Sequence, residues 1–135
     1  MSNIKDGTRF EKEFCEVLAD NGFWVHRIVQ NSAGQQPADI IAVYHGIAYL
    51  IDCKVCANDR FRFSRIEDNQ RMAMDKWVAL KGTMPKFALK DSKGRIWMLD
   101  YQRAKAEEEA GFKGVPCGEG RKFLVSLDEW LEWVR

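Results

Sequence analysis

The chain holds no apolar run near the roughly 18 residues that a membrane-spanning helix needs, so no membrane partner is expected. Its opening residues, MSNIKDGTRF, lack the basic n-region and apolar h-region of an export signal, which makes a cytoplasmic protein the expectation. Without export, the four cysteines (Cys15, Cys53, Cys56 and Cys117) are not expected to form a disulfide framework. Zinc is disfavoured too. Cys53-x-x-Cys56 has no second ligand pair, and neither His26 nor His45 lies at a useful spacing. No Gly-x-Ser-x-Gly elbow, phosphate-cradling glycine loop or HExxH helix is present, which removes three common catalytic signatures. An excess of one charge is missing as well: 21 Lys+Arg against 20 Asp+Glu leaves +1, by itself a poor nucleic-acid footprint.

What is present argues for one globular domain spanning residues 1–135. A 46% hydrophobic and 12% aromatic composition can bury a real core, and neither internal repeat nor linker interrupts it. The spacing predicts a helix over Thr8–Asn21, with Phe10, Phe14, Val17 and Leu18 as its apolar stripe and Gly22 as its stop. A β-prone segment, Phe23–Gln30, and a polar loop, Asn31–Gln36, follow. A second helix is predicted over Arg65–Lys81, opened by a Ser64/Glu67 capping box, with Ile66, Ala73, Trp77 and Leu80 inward. Lys86–Leu89 and Arg95–Asp100 read as a hairpin, a short helix runs through Glu107–Glu109, and Lys122–Val125 reads as a last strand. Ser126–Val134 closes as a helix capped by Ser126 and Glu129, with Leu127, Trp130, Leu131, Trp133 and Val134 forming either its docking face or a subunit contact.

The densest information lies between Pro37 and Lys54. Ala38–Tyr44 and Ile47–Val55 read as strands joined at His45-Gly46, a two-residue turn that requires positive φ. Tyr44 then faces Ile47, and Asp39 faces Asp52. Facing carboxylates sit about 4.5–5.5 Å apart at Cβ and repel. Lys54, two residues beyond Asp52, shares its face. A divalent cation between the acids is the simplest resolution. The hairpin is apolar on both faces, which places it centrally in a sheet flanked by helices, an α/β domain.

Three further features bear on chemistry. Gln70 falls on the apolar stripe of the second helix, where it is either a satisfied core amide or a neighbour of the acids that touches a phosphate or attacking water. Glu11 and Glu13 flank opposite edges of the first helix's stripe, and periodicity barely separates them; Thr8-x-x-Glu11 is also a capping-box pattern. Residues 54–65 concentrate Lys54, Arg60, Arg62 and Arg65 against Asp59 alone, interleaved with Phe61 and Phe63. This reads either as a phosphate-contacting segment with bases or sugars packed nearby, or as a solvated loop with two Phe anchors in the core.

Pro37-Ala38-Asp39 with Asp52-Cys53-Lys54 resembles the signature of the PD-(D/E)xK nuclease superfamily. Gly7-x-x-x-Glu11 followed by Phe23–Arg27 is similar to the opening of archaeal Hjc-type Holliday junction resolvases. Phe63-Ser64, Asn69-Gln70 and the Lys86–Tyr101 hairpin resemble the layout of the bacterial RecU resolvases. The spacer departs from the pattern, reading Pro-Ala-Asp, and the second acid is Asp where Glu is commoner. The resemblance implies a restriction-endonuclease-like fold, a central mixed β-sheet with helices on both faces. It implies that Glu11, Asp39, Asp52 and the backbone carbonyl of Cys53 bind Mg²⁺, or Mn²⁺ in its place. Lys54 would then orient the attacking water and stabilise the transition state, and Gln70 would assist. Arg27, Arg60, Arg62, Arg65 and Arg71 are the implied DNA-backbone contacts. A metal-dependent junction-resolving endonuclease, working as a homodimer on branched DNA, is the leading expectation. The alternatives are another nuclease of the superfamily acting on linear or damaged DNA, and a non-catalytic DNA-binding protein on the same fold.

Overall fold

The computed structural model describes residues 3–29 and 38–135. Gln30, the polar loop Asn31–Gln36 and Pro37 lie outside the described residues. Helix α1 (Asn3–Asp20) leads into strand β1 (Trp24–Arg27), then β2 (Ile40–Tyr44) and β3 (Ile47–Val55). A short strand β4 (Arg60–Arg62) and a 3-10 turn, Phe63–Arg65, precede helix α2 (Asp68–Ala79). Strands β5 (Lys86–Lys90) and β6 (Ile96–Asp100), helix α3 (Tyr101–Glu109), strands β7 (Gly114–Pro116) and β8 (Val125–Ser126), and helix α4 (Leu127–Val134) complete the order.

Six strands form one mixed sheet in the order β1-β2-β3-β5-β6-β8, and β4 pairs with β7 separately. Only β3 and β5 run parallel within the six; the other pairings are antiparallel. The β2–β3 register is the expected one, Tyr44 against Ile47 and Ile40 against Ile51. It is fixed by a turn in which His45 (φ 48°) and Gly46 (φ 79°) both take left-handed conformations, as a primed two-residue turn demands. Gly114 permits the small β4–β7 ladder, because a Cβ there would come within 2.4 Å of the Phe61 carbonyl oxygen.

Alternation along the strands divides the core. One face packs Ile40, Ala42, Ile51 and Cys53 against Phe10, Phe14 and Leu18 of α1 and Trp130 and Leu131 of α4. The opposite face, which carries the two acids, packs Leu50, Phe87, Leu89 and Leu99 against Met74 of α2, Tyr101 and Ala104 of α3, and Phe61 and Phe63. Cys53 and Cys56 fall into these separate clusters, as the strand period requires.

The elements differ from expectation in instructive places. Helix α1 begins five residues before Thr8, so the proposed Thr8/Glu11 cap is not a cap: both residues lie inside the helix. Helix α2 is shorter at both ends, because Ile66 is extended (φ −84°, ψ 114°) and the helix starts only after Glu67. Its capping box is therefore Glu67 with Gln70, not Ser64 with Glu67. Leu80 lies beyond the last turn and is 72% exposed; Met74 takes the buried position instead. The last strand is Val125–Ser126 because Phe123, at φ 74°, cannot continue a strand. Trp133 is 68% exposed and does not share the docking face of Trp130. Residues 101–120, only loosely readable in sequence, supply α3 and β7. Finally, among the described residues cover on the acid-bearing face thins toward β1 and the hairpin turn, where Ile41, Val43 and Ala48 are only half-buried.

Candidate active site

The hairpin brings Asp39 and Asp52 together at the end of the sheet where β2 begins and β3 runs out. Asp39 is anchored through backbone and side chain: its carbonyl accepts from the Ile28 amide at 2.7 Å, and its Oδ2 accepts from the Cys53 amide at 2.8 Å. Asp52 is fully buried. Its Oδ1 accepts from Gln70 Nε2 at 3.0 Å, and its Oδ2 forms an ion pair with Lys54 Nζ at 3.0 Å. Lys54 in turn reaches Gln70 Oε1 at 3.5 Å, closing a ring of three side chains. That same Oε1 accepts from the Glu67 amide at 3.1 Å. One amide thus fastens the start of α2 to the acid on β3.

Burial, and after it the negative charge of Asp52, pushes Asp39 up to about 8. Burial also raises Asp52, although Lys54 opposes it. The hydrogen bond between the two carboxyls raises Asp39 and lowers Asp52, so the shared proton belongs to Asp39.

A cleft of about 900 Å³ opens over this pair, lined by Asp39, Cys53, Lys54 and Gln70 at its floor. Glu11 enters from α1, and Arg27, Arg60, Arg62 and Arg65 surround the opening. The structure separates the two helix acids: Glu11 Oε1 accepts from Arg27 Nε at 3.1 Å at the cleft wall, whereas Glu13 pairs with Lys90 at 2.8 Å outside it. Burial first, and Asp39 second, raise Glu11 above the ordinary carboxylate range. Arg65 already donates to the Val55 carbonyl at 2.8 Å.

Arg71 is not brought to the cleft. It is a strut between α2 and α3, pairing with Glu108 and donating to the Phe63 carbonyl at 3.0 Å. Phe61 and Phe63 are core anchors, 0% and 1% exposed, while Arg60, Arg62 and Arg65 of that segment line the opening. Sequence reading missed Asn58 and Glu67, which also line the cleft. Glu67 was masked by its fit to a cap position three residues too early.

Among the described residues no three His, Cys, Asp or Glu side chains are grouped closely enough to hold a metal ion. The donor chemistry nonetheless fits a hard cation: two adjacent carboxylates held by protein hydrogen bonds, with a third acid on the wall. Mg²⁺ is commonly bound through one or two carboxylates plus waters and substrate phosphates, so a protein cage is not required.

A family model of the archaeal Holliday junction resolvase (Hjc) matches residues 2–115. Among solved structures the fold is similar to that of Archaeoglobus fulgidus Hjc, described as a Holliday junction resolvase from an archaeal hyperthermophile. The TM-score is 0.68 at 17% identity, covering 94% of this chain and 99% of that one. Comparison with curated protein sequences gives no match. The structural likeness bears on the fold, an α/β domain with a mixed sheet between helices; the family model bears on the lineage.

Proposed function

Because the chain belongs to the archaeal Holliday junction resolvase family, we propose that it is a structure-selective endonuclease that hydrolyses DNA phosphodiesters at four-way junctions. The observation that carries the assignment of residues is the buried Asp52 held by Lys54 and Gln70 beside a protonated Asp39. Two carboxyls forced to share a proton in a cleft open to substrate make a site that gains stability when a cation replaces that proton.

Asp39, Asp52 and the Cys53 carbonyl would hold the divalent cation, Mg²⁺ or Mn²⁺, with Glu11 joining once it releases Arg27. When bound, the cation supplies Lewis acidity toward a water and toward the phosphate oxygens. Gln70 keeps the Asp52 carboxylate in one orientation and leaves Lys54 directed by two partners. The Lys54 side chain, 11% exposed at the cleft floor and 3.0 Å from Asp52 Oδ2, is placed to stabilise negative charge developing on the phosphate. Arg60, Arg62 and Arg65 contact flanking phosphates, and Arg27 does so when Glu11 turns inward. Shape is read through the backbone, which needs no base-reading element. Paired nicking of a junction requires two sites related by a two-fold axis, so the working unit is a homodimer of this nuclease domain.

The test is cleavage of a synthetic four-way junction against a linear duplex of matched sequence, with Mg²⁺ and with EDTA. Paired cuts near the branch point, dependent on metal and lost in Asp52→Asn and Lys54→Ala, are the expected result. Equal cutting of linear duplex would move the assignment to a restriction- or repair-type nuclease. Junction binding without cleavage under any divalent metal would leave a DNA-binding protein.

A further inference from the structure

Among the described residues strand β1 lies at the edge of the sheet, and the acid-bearing face is thinly covered there. Trp24 is 61% exposed and His26 is exposed beside it. Their rings are nearly parallel, 9° apart in plane with centroids separated by 6.1 Å. Register fixes where this pair stands: Trp24 is opposite Val43 and His26 opposite Ile41, residues that share the face of Asp39. The next residue on that face, Ile28, bonds the Asp39 carbonyl and lines the cleft. At about 3.4 Å of rise per residue, His26 stands roughly 7 Å and Trp24 roughly 14 Å from the row of the carboxylates.

This exposed aromatic pair adjoins the charged cleft through Ile28 and presents ring faces to a partner bound there. Bases stack on aromatic rings without regard to sequence, and the arginines of the adjoining cleft hold the phosphates of the same strand. Insertion of a base between the two rings would need about twice the ~3.4 Å base spacing, more than the 6.1 Å available, so a base stacks on the outer faces of the pair. Within intact duplex every base face is already covered by its neighbours. A branch point, where arms part and stacking is interrupted, offers a free face at small cost in the interior of the DNA.

We propose that Trp24 and His26 form a platform that stacks an unstacked base at the branch, within about two nucleotides of the scissile phosphate, and thereby selects branched over linear DNA. This rests on the junction-cleaving assignment above and adds to it a residue-level source of the selectivity.

The experiment measures binding without metal, in EDTA, of wild type, Trp24→Ala, Trp24→Phe and the double variant Trp24→Ala/His26→Ala. The probes are a four-way junction carrying 2-aminopurine at the branch and a linear duplex of the same sequence. Stacking on one platform is expected to make junction binding by the double variant about tenfold weaker, with duplex binding unchanged within about twofold. The variant should lose the fluorescence change at the branch, and Trp24→Phe should retain most of both. Thermal melting and sedimentation of each variant accompany the titrations. A wild type that does not prefer the junction overturns the functional assignment and the platform together. A preference that survives the double substitution overturns the platform alone. So does a loss shared equally by junction and duplex, or one that tracks a change in oligomeric state, which would make this face a contact between copies.

Discussion

Replacing Asp39 by Asn separates the cost of building the site from its use. In the folded protein Asp39 is pushed up to about 8, against an ordinary 3.8, by burial and by Asp52. A raised folded-state value contributes stability that is fully present below the unfolded value and is lost as pH climbs through the folded one. Between pH about 4 and about 8 the folded chain therefore holds a proton that the unfolded chain releases, and stability falls by at most about 1.4 kcal/mol per pH unit. The full displacement corresponds to a ceiling of roughly 6 kcal/mol. Relaxation and water in the cleft reduce it, and about 1–3 kcal/mol is the expected gain when the carboxyl is replaced. Asn reproduces the protonated acid: its Oδ1 accepts from the Cys53 amide and its Nδ2 donates to Asp52. The metal-free Asp39→Asn protein should melt roughly 4–10 °C above wild type at pH about 8.5, with the difference shrinking toward pH 5. Mg²⁺ should raise the melting temperature of wild type but not of the variant, and nuclease activity should be lost. A variant no more stable than wild type at pH about 8.5, or one with the same pH slope from 5 to 8, would refute a buried proton on Asp39.

Lys54→Ala should lower single-turnover junction cleavage by at least about a hundredfold while changing junction affinity by less than about threefold, because its role is in the transition state. Gln70→Ala removes the Asp52 donor and the Glu67 cap together; it should cost about 1–3 kcal/mol in denaturant titrations and also slow cleavage. Arg60→Ala, Arg62→Ala and Arg65→Ala should each weaken junction binding and reduce the salt dependence of log K by about one. Arg71→Ala should leave that slope unchanged and instead lower the melting temperature, since its partners are Glu108 and backbone carbonyls.

Much of the site was legible because it rests on short-range rules. A two-residue turn fixes a ladder that ends at Ile40 against Ile51. Asp39 follows just before β2 (which starts at Ile40, not at the expected Ala38) and hydrogen-bonds Asp52, and a period of two returns Lys54 to the face of Asp52. Gln70 was visible as a polar residue on an apolar stripe, and its partner proved to be the acid itself. Errors gathered where local patterns are degenerate. Ser-x-x-Glu matched a cap at Ser64, but the chain stays extended at Ile66 and the true cap is Glu67. Arg71 looked like its neighbours by charge, and only the approach of α3 draws it away to Glu108. Glu11 and Glu13 stood equal along the helix until the position of β1 gave Arg27 to one and the position of β5 gave Lys90 to the other.

The chain by itself dictated the hairpin, its register, the shared face of three charged groups and the lineage they suggest, since backbone geometry and alternation act over a few residues. Packing decided the rest: how deeply Asp52 is buried, which carboxyl keeps the proton, which arginines reach the opening and which stretch of sheet is left bare. Those properties depend on the dielectric and the neighbours that distant segments bring, and no local pattern encodes them.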